Sequence, residues 1–136
     1  RYVFEFGEQM TIQVKFNASD EIEKPNILIS IIREDQVHCG SFSSSMEGLN
    51  IDKISGVGTI EVTTPPLKLV SDKYTISVIV RERHFAKIIS AQIGASFHVK
   101  HDLLSETAFG VFYEPASWRM VPQQNQEPSE RRNELR

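Results

Sequence analysis

The chain has 136 residues, of which 40% are hydrophobic and 24% are charged, and this size and composition predict one globular domain with a single core. Its formal net charge of −3 argues against a general nucleic-acid-binding surface. The sequence contains no apolar run of membrane-spanning length, and its single cysteine, Cys39, excludes an internal disulfide.

The first half of the chain alternates short apolar segments with turn residues. Residues 3–6 predict a short strand, and residues 11–17 predict a strand with one buried face because apolar and polar side chains alternate there. Residues 17–24 carry turn-forming and charged side chains and predict a connection. Residues 27–32 are nearly all apolar and predict a central strand covered on both faces. Residues 37–45 predict a returning strand of small side chains.

The second half continues this pattern. Residues 56–64 predict a strand, and residues 74–83 predict the longest strand of the chain. A hairpin then leads to strands over 88–90 and 93–99, followed by a polar segment and a late strand at 109–113. Eight to ten short strands, with no helix beyond one or two turns, predict an all-β antiparallel sandwich of the jelly-roll or immunoglobulin-like type.

We expect the sandwich to occupy residues 1–121. Residues 122–136 have almost no apolar side chains and predict a disordered tail. Because the chain begins at Arg1 and enters a strand pattern almost at once, we also expect it to be a piece of a longer protein.

The segment from Tyr74 to Arg83 is the centre of the predicted fold. Its apolar face carries Tyr74, Ile76, Val78 and Val80. Its polar face carries Thr75, Ser77, Arg81 and Arg83, with Ile79 as the apolar exception. Hydroxyls and guanidiniums in a row suit a polar ligand lying across a sheet, although a solvated face that discourages aggregation has the same composition.

Few residues suggest catalysis or metal binding. The sequence has no phosphate-binding glycine loop, nucleophile elbow or zinc-protease motif. His98 and His101 beside Asp102 form the one candidate ligand cluster, and their spacing places the two histidines on opposite faces of a strand. His38 with residues 41–45 contains a base and nucleophiles that nothing orients. We therefore expect a protein that is not an enzyme and has no metal or cofactor.

Several short motifs follow one another in a fixed order. They are Phe6-Gly7-Glu8, Pro25-Asn26-Ile27, Gly56-x-Gly58, Pro66-Leu67-x-Leu69, Tyr74-x-Ile76-Ser77-Val78, Phe97-x-Val99, Gly110-Val111-Phe112 and Pro115-x-x-Trp118. Over residues 2–120 the chain thereby resembles the C-terminal carbohydrate-binding domain of the ATPase subunit of O-antigen polysaccharide ABC exporters, the Wzt type. It departs from the family at Asp72, where a glycine is usual, and at Asp35-Gln36, where Asp-Gly is frequent. Asp tolerates left-handed backbone geometry, so we expect the fold to survive both departures.

The resemblance implies a cytoplasmic β-sandwich attached behind a nucleotide-binding domain at the inner membrane. It implies non-catalytic recognition of the non-reducing terminus of a lipid-linked O-antigen polysaccharide before export. It also implies a homodimer, because the transporter carries two ATPase subunits, and contact with the membrane permease subunit through the ATPase domain. Ligand-contacting residues vary between relatives of this type, so none is transferred from the family to this chain.

The strand-face argument alone gives the expected site. We expect a glycan terminus to bind the outer face of the sheet around the central strand, at Ser77, Arg81 and Arg83. Outward positions on neighbouring strands add Ser30, Gln92 and His98 if those strands pair beside it. Two guanidiniums favour an anionic cap on the glycan.

A late strand separated from the sandwich by a polar loop suits exchange between protomers. The expected dimer contacts are Phe109, Phe112, Tyr113 and Trp118. Trp118 has an alternative role as a plug at the end of the sandwich. Two other functions also stay open at this stage, a structural or adhesive immunoglobulin-like domain and an accessory domain of a glycoside-acting enzyme.

Overall fold

The computed structural model describes residues 2–101 and 110–122. Its strands are β1 (Val3–Glu5), β2 (Thr11–Glu23), β3 (Asn26–Arg33), β4 (His38–Ser43), β5 (Lys53–Thr63), β6 (Asp72–Glu82) and β7 (Lys87–Lys100). These described residues form no helix, and hence none long and apolar enough to cross a membrane. The prediction of an all-β sandwich is confirmed.

The strands form two sheets. The large sheet has the order β1-β7-β6-β3-β4, and the small sheet consists of β2 and β5. All neighbouring strands are antiparallel except β1, which runs parallel to β7. The core lies between the two sheets, where Ile12 of the small sheet joins Ile29, Ile76 and Phe97 of the large sheet in one apolar cluster. The outer face of the large sheet therefore points away from the core.

Two predicted connections are wrong. Residues 17–23 are not a loop, because β2 continues to Glu23 and pairs with β5 on both sides of an irregularity between Ala18 and Ile22. Between Ala18 and Ile22, four steps along β2 face two steps along β5, from Gly56 to Ile54. The turn-forming residues are thus accommodated in a bulge, and pairing outweighs their local preference. Likewise, the two strands predicted within residues 88–99 are one continuous strand, β7.

The late strand predicted at residues 109–113 is also absent from the described part. Phe112 makes a single bridge to Leu69, and no strand is formed over residues 110–113. Phe109, the polar segment before it and the tail beyond Pro122 lie outside the described residues. The described part consequently contains seven strands rather than eight to ten.

The alternation predicted for the central strand is confirmed in β6. Tyr74 and Ile76 are buried, and Val78 and Val80 are half-buried. The Tyr74 hydroxyl donates a hydrogen bond to the Val70 carbonyl at 2.6 Å, and its ring stacks on Phe97 with centroids 5.5 Å apart. Burial raises the pKa of Tyr74 well above its ordinary value. Each buried apolar side chain stabilises the fold by about 1.5–3 kcal/mol.

A buried arginine closes one end of the sandwich. Arg33, with its side chain 7% exposed, donates from Nε and Nη2 to the Asp35 carboxylate at 2.9 and 2.8 Å. Its Nη1 donates to the Gly110 carbonyl at 2.8 Å. The hydrogen bond with Arg33 holds the pKa of Asp35 below its ordinary value. Arg33 thereby fastens the segment beginning at Gly110 onto the end of β3.

Candidate functional site

A row of hydroxyl groups crosses the outer face of the large sheet. Ser30 of β3 pairs with Ser41 of β4 on one side and with Ser77 of β6 on the other. The three side chains therefore lie side by side at about 4.8 Å strand spacing. The Ser30 and Ser41 hydroxyls are 2.8 Å apart, and His38 Nε2 lies 3.0 Å from the Ser41 hydroxyl. We call Ser30, Ser41 and Ser77 the serine row.

A hollow of about 270 Å³ adjoins the serine row. Its lining includes Lys73, Thr75, Ser77, Ile93 and Ser96. The Thr75 and Ser96 hydroxyls are 3.1 Å apart and form a second hydrogen-bonded pair across β6 and β7. We call this cavity the outer hollow. Together with Ile32, Arg33, Glu34 and Gln36, these residues offer several donors and acceptors, charged groups of both signs and two apolar side chains within one concave surface.

The outer face is also partly apolar. Leu28 and Ile79 pair across β3 and β6 next to the serine row and are half-buried. Ser30 is only 6% exposed, although no further layer of the described residues covers this face. Side chains of the same sheet therefore shelter it. Sheltered hydroxyls beside apolar side chains match the mixed surface of a sugar, which has hydroxyl edges and C–H faces.

Four of the six predicted site residues share this outer face. Ser30 and Ser77 lie in the serine row. Arg81 and His98 lie towards opposite ends of the strands, on either side of that row. Arg81 pairs with Asn26, four residues along β6 from Ser77, which corresponds to about 13 Å. His98 pairs with Lys73, four residues from Ser77 in the opposite direction. A ligand centred on the serine row thus contacts Arg81 and His98 only if it is long.

Arg83 lies elsewhere. β6 ends at Glu82, and Arg83 has a left-handed backbone with φ of 50°. Its backbone N–H donates to the Glu23 carbonyl at 2.8 Å, and its Nε lies 3.6 Å from the Glu23 carboxylate. The strand alternation therefore stops before Arg83, and this guanidinium belongs to the hairpin that follows β6.

Gln92 also lies on the opposite face. Thr75 pairs with Ser96 but Ser77 pairs with Ile93, so that three steps along β7 face two along β6. This bulge reverses the alternation of β7. Gln92 consequently lies opposite the inward-facing Val78, whereas Ile93 is 79% exposed beside Ser77. Simple alternation over residues 93–99 would place Ile93 on the buried face of Phe97, and the bulge is the reason that it does not lie there.

Sequence reasoning missed four of the residues that the structure brings together. Ser41, Lys73, Thr75 and Ser96 lie on the same outer face as Ser77, and all of them except Ser41 line the outer hollow with it. Thr75 lies on the polar face of β6, and the alternation in the sequence would have allowed it to be included in the predicted site. Ser41 and Ser96 required the register of β4 and β7, which the sequence pattern leaves open.

A further cavity lies between the two sheets. This inter-sheet cleft of about 490 Å³ separates β2 from β6 and β7, and its lining mixes apolar, neutral polar, acidic and basic side chains, the basic ones being Lys15 and Lys87. Apolar members include Val14, Phe16, Val80 and Ile89, and acidic members are Asp20, Glu21 and Glu82. Among residues 2–101 and 110–122, no three His, Cys, Asp or Glu side chains converge as a metal site would require.

Comparisons with known proteins agree with this architecture. A solved structure, "Crystal structure of the C-terminal domain of wzt", is similar with a TM-score of 0.71 and 16% identity, and the match covers 87% of this chain and 73% of that chain. At this identity the likeness shows the fold. No curated protein matches the chain. The family model described as the Wzt C-terminal domain matches residues 1–112. The chain therefore belongs to the Wzt C-terminal domain family.

Proposed function

We propose that this domain is a non-catalytic carbohydrate-binding module that recognises the non-reducing terminus of a lipid-linked O-antigen polysaccharide for export by an ABC transporter. The serine row carries the proposal, because three hydroxyls stand in register across three strands of the outer face. Membership of the Wzt C-terminal domain family supports it.

The outer face suits a glycan for a physical reason. Sugars present many hydroxyls, and each buried one needs a directional partner. Strands hold the Ser77 and Thr75 side chains at fixed spacing, so little ordering is required on binding. The face is open to water, however, so every contact with the sugar replaces a contact with solvent. We therefore expect micromolar to millimolar dissociation constants, about −8 to −4 kcal/mol.

Two cations border the hydroxyl groups. Lys73 lines the outer hollow, and the Arg81 guanidinium has no hydrogen-bonded or ion-paired partner among the described residues. An anionic cap, such as an acidic sugar or a phosphate, is supported by these two groups rather than by Arg81 and Arg83. Lys73 and Arg81 lie on opposite sides of Ser77 along β6, each four residues from it, and a cap beside either of them would gain a charge-assisted hydrogen bond.

The proposal extends to the parent protein. The domain is attached to an ATPase subunit at the cytoplasmic face of the inner membrane, and that subunit contacts the membrane permease. Two copies associate through the C-terminal segment that includes Phe109, Phe112, Tyr113 and Trp118. Phe112 and Trp118 are accessible for this contact, because 68% and 93% of their surfaces are exposed.

Titration calorimetry with O-polysaccharide purified from the strain that encodes this chain tests the site. Ser77→Tyr fills the serine row and should abolish binding. Arg81→Ala should weaken binding by about 1–3 kcal/mol if the ligand is anionic. Arg83→Ala is the matched control, because this exposed guanidinium is ion-paired to Glu23, and it should bind as the wild type does. Unchanged binding by Ser77→Tyr would move the site off this face, and no binding by the wild type would refute the proposed function.

A further inference from the structure

A small hollow lies at the end of the sandwich opposite the end that Arg33 closes. Three connections line it, namely those between β2 and β3, between β4 and β5, and between β6 and β7. The lining residues are Lys24, Asn50, Ile51, Asp52 and His84. Its volume is about 260 Å³, which is room for several water molecules or one small ligand. We call it the end hollow.

Backbone hydrogen bonds fasten the three connections to one another. The Lys24 N–H donates to the Asp52 carbonyl at 2.7 Å, and the His84 N–H donates to the Lys24 carbonyl at 2.8 Å. The buried side chain of Asn26 accepts a hydrogen bond from the Ser45 N–H at 3.1 Å. The walls of the end hollow are therefore held in place by the fold, and a ligand would need to order little of the chain on binding.

Two residues of the end hollow have a left-handed backbone. The angle φ is 44° at Lys24 and 65° at His84, in a region that glycine and asparagine occupy with less strain. Strained backbone of this kind is concentrated at sites where the residue has a function. Folding alone thus does not explain why a lysine and a histidine occupy these two positions.

The opposite charges of the end hollow are not paired with each other. Beside it, Arg83 Nε lies 3.6 Å from the Glu23 carboxylate. The backbones of Lys24 and Asp52 are joined by a hydrogen bond, yet the side chains of these two residues have no ion-paired or hydrogen-bonded partner in residues 2–101 and 110–122. One hollow is therefore lined by an ammonium and a carboxylate that are both available to a ligand.

The imidazole of His84 adds a further polar group. Its Nδ1 lies 3.2 Å from the Ser45 hydroxyl, which orients the ring. Its Nε2 has no hydrogen-bonded partner among the residues that the structure describes. The end hollow thus offers two donors to an anionic group, from Lys24 and His84, and one carboxylate to a cationic group, from Asp52.

We propose that the end hollow binds a small zwitterionic group of the phosphoethanolamine type. Its phosphate accepts hydrogen bonds from Lys24 and His84, and its ammonium donates to Asp52. A purely anionic ligand would be repelled by the Asp52 carboxylate, and a purely cationic ligand would be repelled by the Lys24 ammonium. A ligand with both charges pairs with both. A free small molecule, a glycan substituent and a lipid headgroup share this chemistry.

The end hollow is separate from the serine row. Asn26 lies four residues from Ser30 along β3, which corresponds to about 13 Å, and Lys24 lies farther in the same direction. The zwitterion site therefore does not rest on the proposed function, and its ligand can be tested without any polysaccharide.

Nuclear magnetic resonance titration with O-phosphoethanolamine tests the site. The backbone amides of Lys24, Asp52 and His84 should shift with one common dissociation constant in the millimolar range. Ethyl phosphate, which lacks the ammonium, should bind about three- to fivefold more weakly. Asp52→Asn should remove this difference between the ligands, whereas Asp20→Asn, which lies outside the end hollow, should keep it. Equal binding of the two ligands by the wild type would overturn the zwitterion assignment, and the absence of shifts at these amides would overturn the site.

Substitution by asparagine separates binding from folding. Asparagine tolerates a left-handed backbone, so Lys24→Asn and His84→Asn should melt no lower than the wild type while binding O-phosphoethanolamine about threefold more weakly or worse. Lys53→Gln is the control, because this ammonium lies 3.7 Å from the Glu21 carboxylate, and it should bind as the wild type does. If both asparagine variants lose stability together with binding, the two side chains serve the fold and the site is overturned.

Vesicles of phosphatidylcholine with and without phosphatidylethanolamine distinguish the sources of the ligand. Binding of free O-phosphoethanolamine and of the phosphatidylethanolamine vesicles would support a lipid headgroup. Binding of the free compound alone would support a soluble molecule or a glycan substituent. Vesicle binding that Asp52→Asn leaves unchanged, with no binding of the free compound, would overturn the assignment to the end hollow.

Discussion

The two halves of β7 differ in burial although apolar side chains occur in both. Near its end, Phe97 and Val99 are each 2% exposed, between β6 on one side and β1 on the other. In residues 87–95, Ile88 and Ile93 are more than half exposed, with β6 as the one described neighbour. The strand is the same, but its surroundings are not. Burial in a sheet is therefore decided by the neighbouring strands and the opposite sheet rather than by the strand's own pattern.

The half that includes Phe97 belongs to the closed end of the sandwich, where Tyr74 and Arg33 also lie. Polar groups there are paired internally: the Tyr74 hydroxyl with Val70 and the Arg33 guanidinium with Asp35 and Gly110. The other half belongs to what we call the open side of the sandwich. There β7 lines the inter-sheet cleft and has no described neighbour on its outer edge from Lys87 to Ala95. The closed end should account for most of the domain's stability. Substitutions on the open side should have little effect on the free energy of unfolding.

The largest expected effect sharpens this contrast. Tyr74→Ala removes a fully buried ring stacked on Phe97 and should lower the free energy of unfolding by about 3–5 kcal/mol. Ile93→Ala removes a side chain that is 79% exposed and should change it by about 0.5 kcal/mol or less in the monomer. Urea unfolding at a protein concentration that keeps the chain monomeric measures both. Equal losses would mean that the two halves of β7 are equally important to folding.

The sequence predicted the closed end more accurately than the open side. The alternation of apolar and polar residues placed Tyr74 and Ile76 in the core, because the burial of one strand face is directly visible in the sequence of that strand. The position of Gln92 was wrong because a bulge between Thr75 and Ser77 reverses the faces of β7, and no local residue choice marks that bulge. Register and bulges arise from pairing between distant segments, which a single strand's pattern does not encode.

The same limit applies to the candidate site. Ser77 was found because the polar face of β6 is visible in its own sequence. Ser41 and Ser96 belong to that face only through pairing with β3 and β6. Arg83 was assigned to the face because the alternation was extended one residue beyond Glu82, where the backbone turns to φ of 50°. Of the two predicted guanidiniums, only that of Arg81 therefore lies on this face.

An intermediate effect probes packing beside the inter-sheet cleft. A Cβ at Gly58 would lie 2.3 Å from the end of the Phe16 ring, which pairs across the small sheet and lines the cleft. Gly58→Ala should therefore cost about 1–3 kcal/mol of stability. Gly40→Ala is the matched control, because nothing lies within 4 Å of its Cβ position.

The double variant Phe16→Ala/Gly58→Ala locates the cause of that cost. Once the ring is gone, the added methyl group meets no obstacle, so the two effects should be less than additive. Additive losses in thermal or urea unfolding would show that the cost of Gly58→Ala arises in the strand backbone rather than at the ring.

The smallest expected effect concerns pH and the closed end. The hydrogen bond from Arg33 holds the pKa of Asp35 below its ordinary value, so the folded state binds this proton less readily than the unfolded state does. The stabilisation is therefore present above the unfolded pKa and is lost as the pH falls below about 4. Asp35→Asn should flatten this acid limb of the stability curve. The change should be small and reduced by salt, because the Asp35 side chain is 49% exposed and water and ions screen the pair.

Asp52→Asn is the control for this pH dependence, because Asp52 is an exposed residue whose carboxylate has no ion-paired partner in residues 2–101 and 110–122. Melting temperatures measured from pH 3 to pH 7 should show less loss on acidification for Asp35→Asn than for Asp52→Asn. If both variants lose stability equally towards pH 3, the Arg33–Asp35 pair contributes nothing to the acid limb. Arg33 would then fasten the chain at Gly110 through its hydrogen bond to that carbonyl alone, and the closed end would owe its strength to apolar packing around Tyr74.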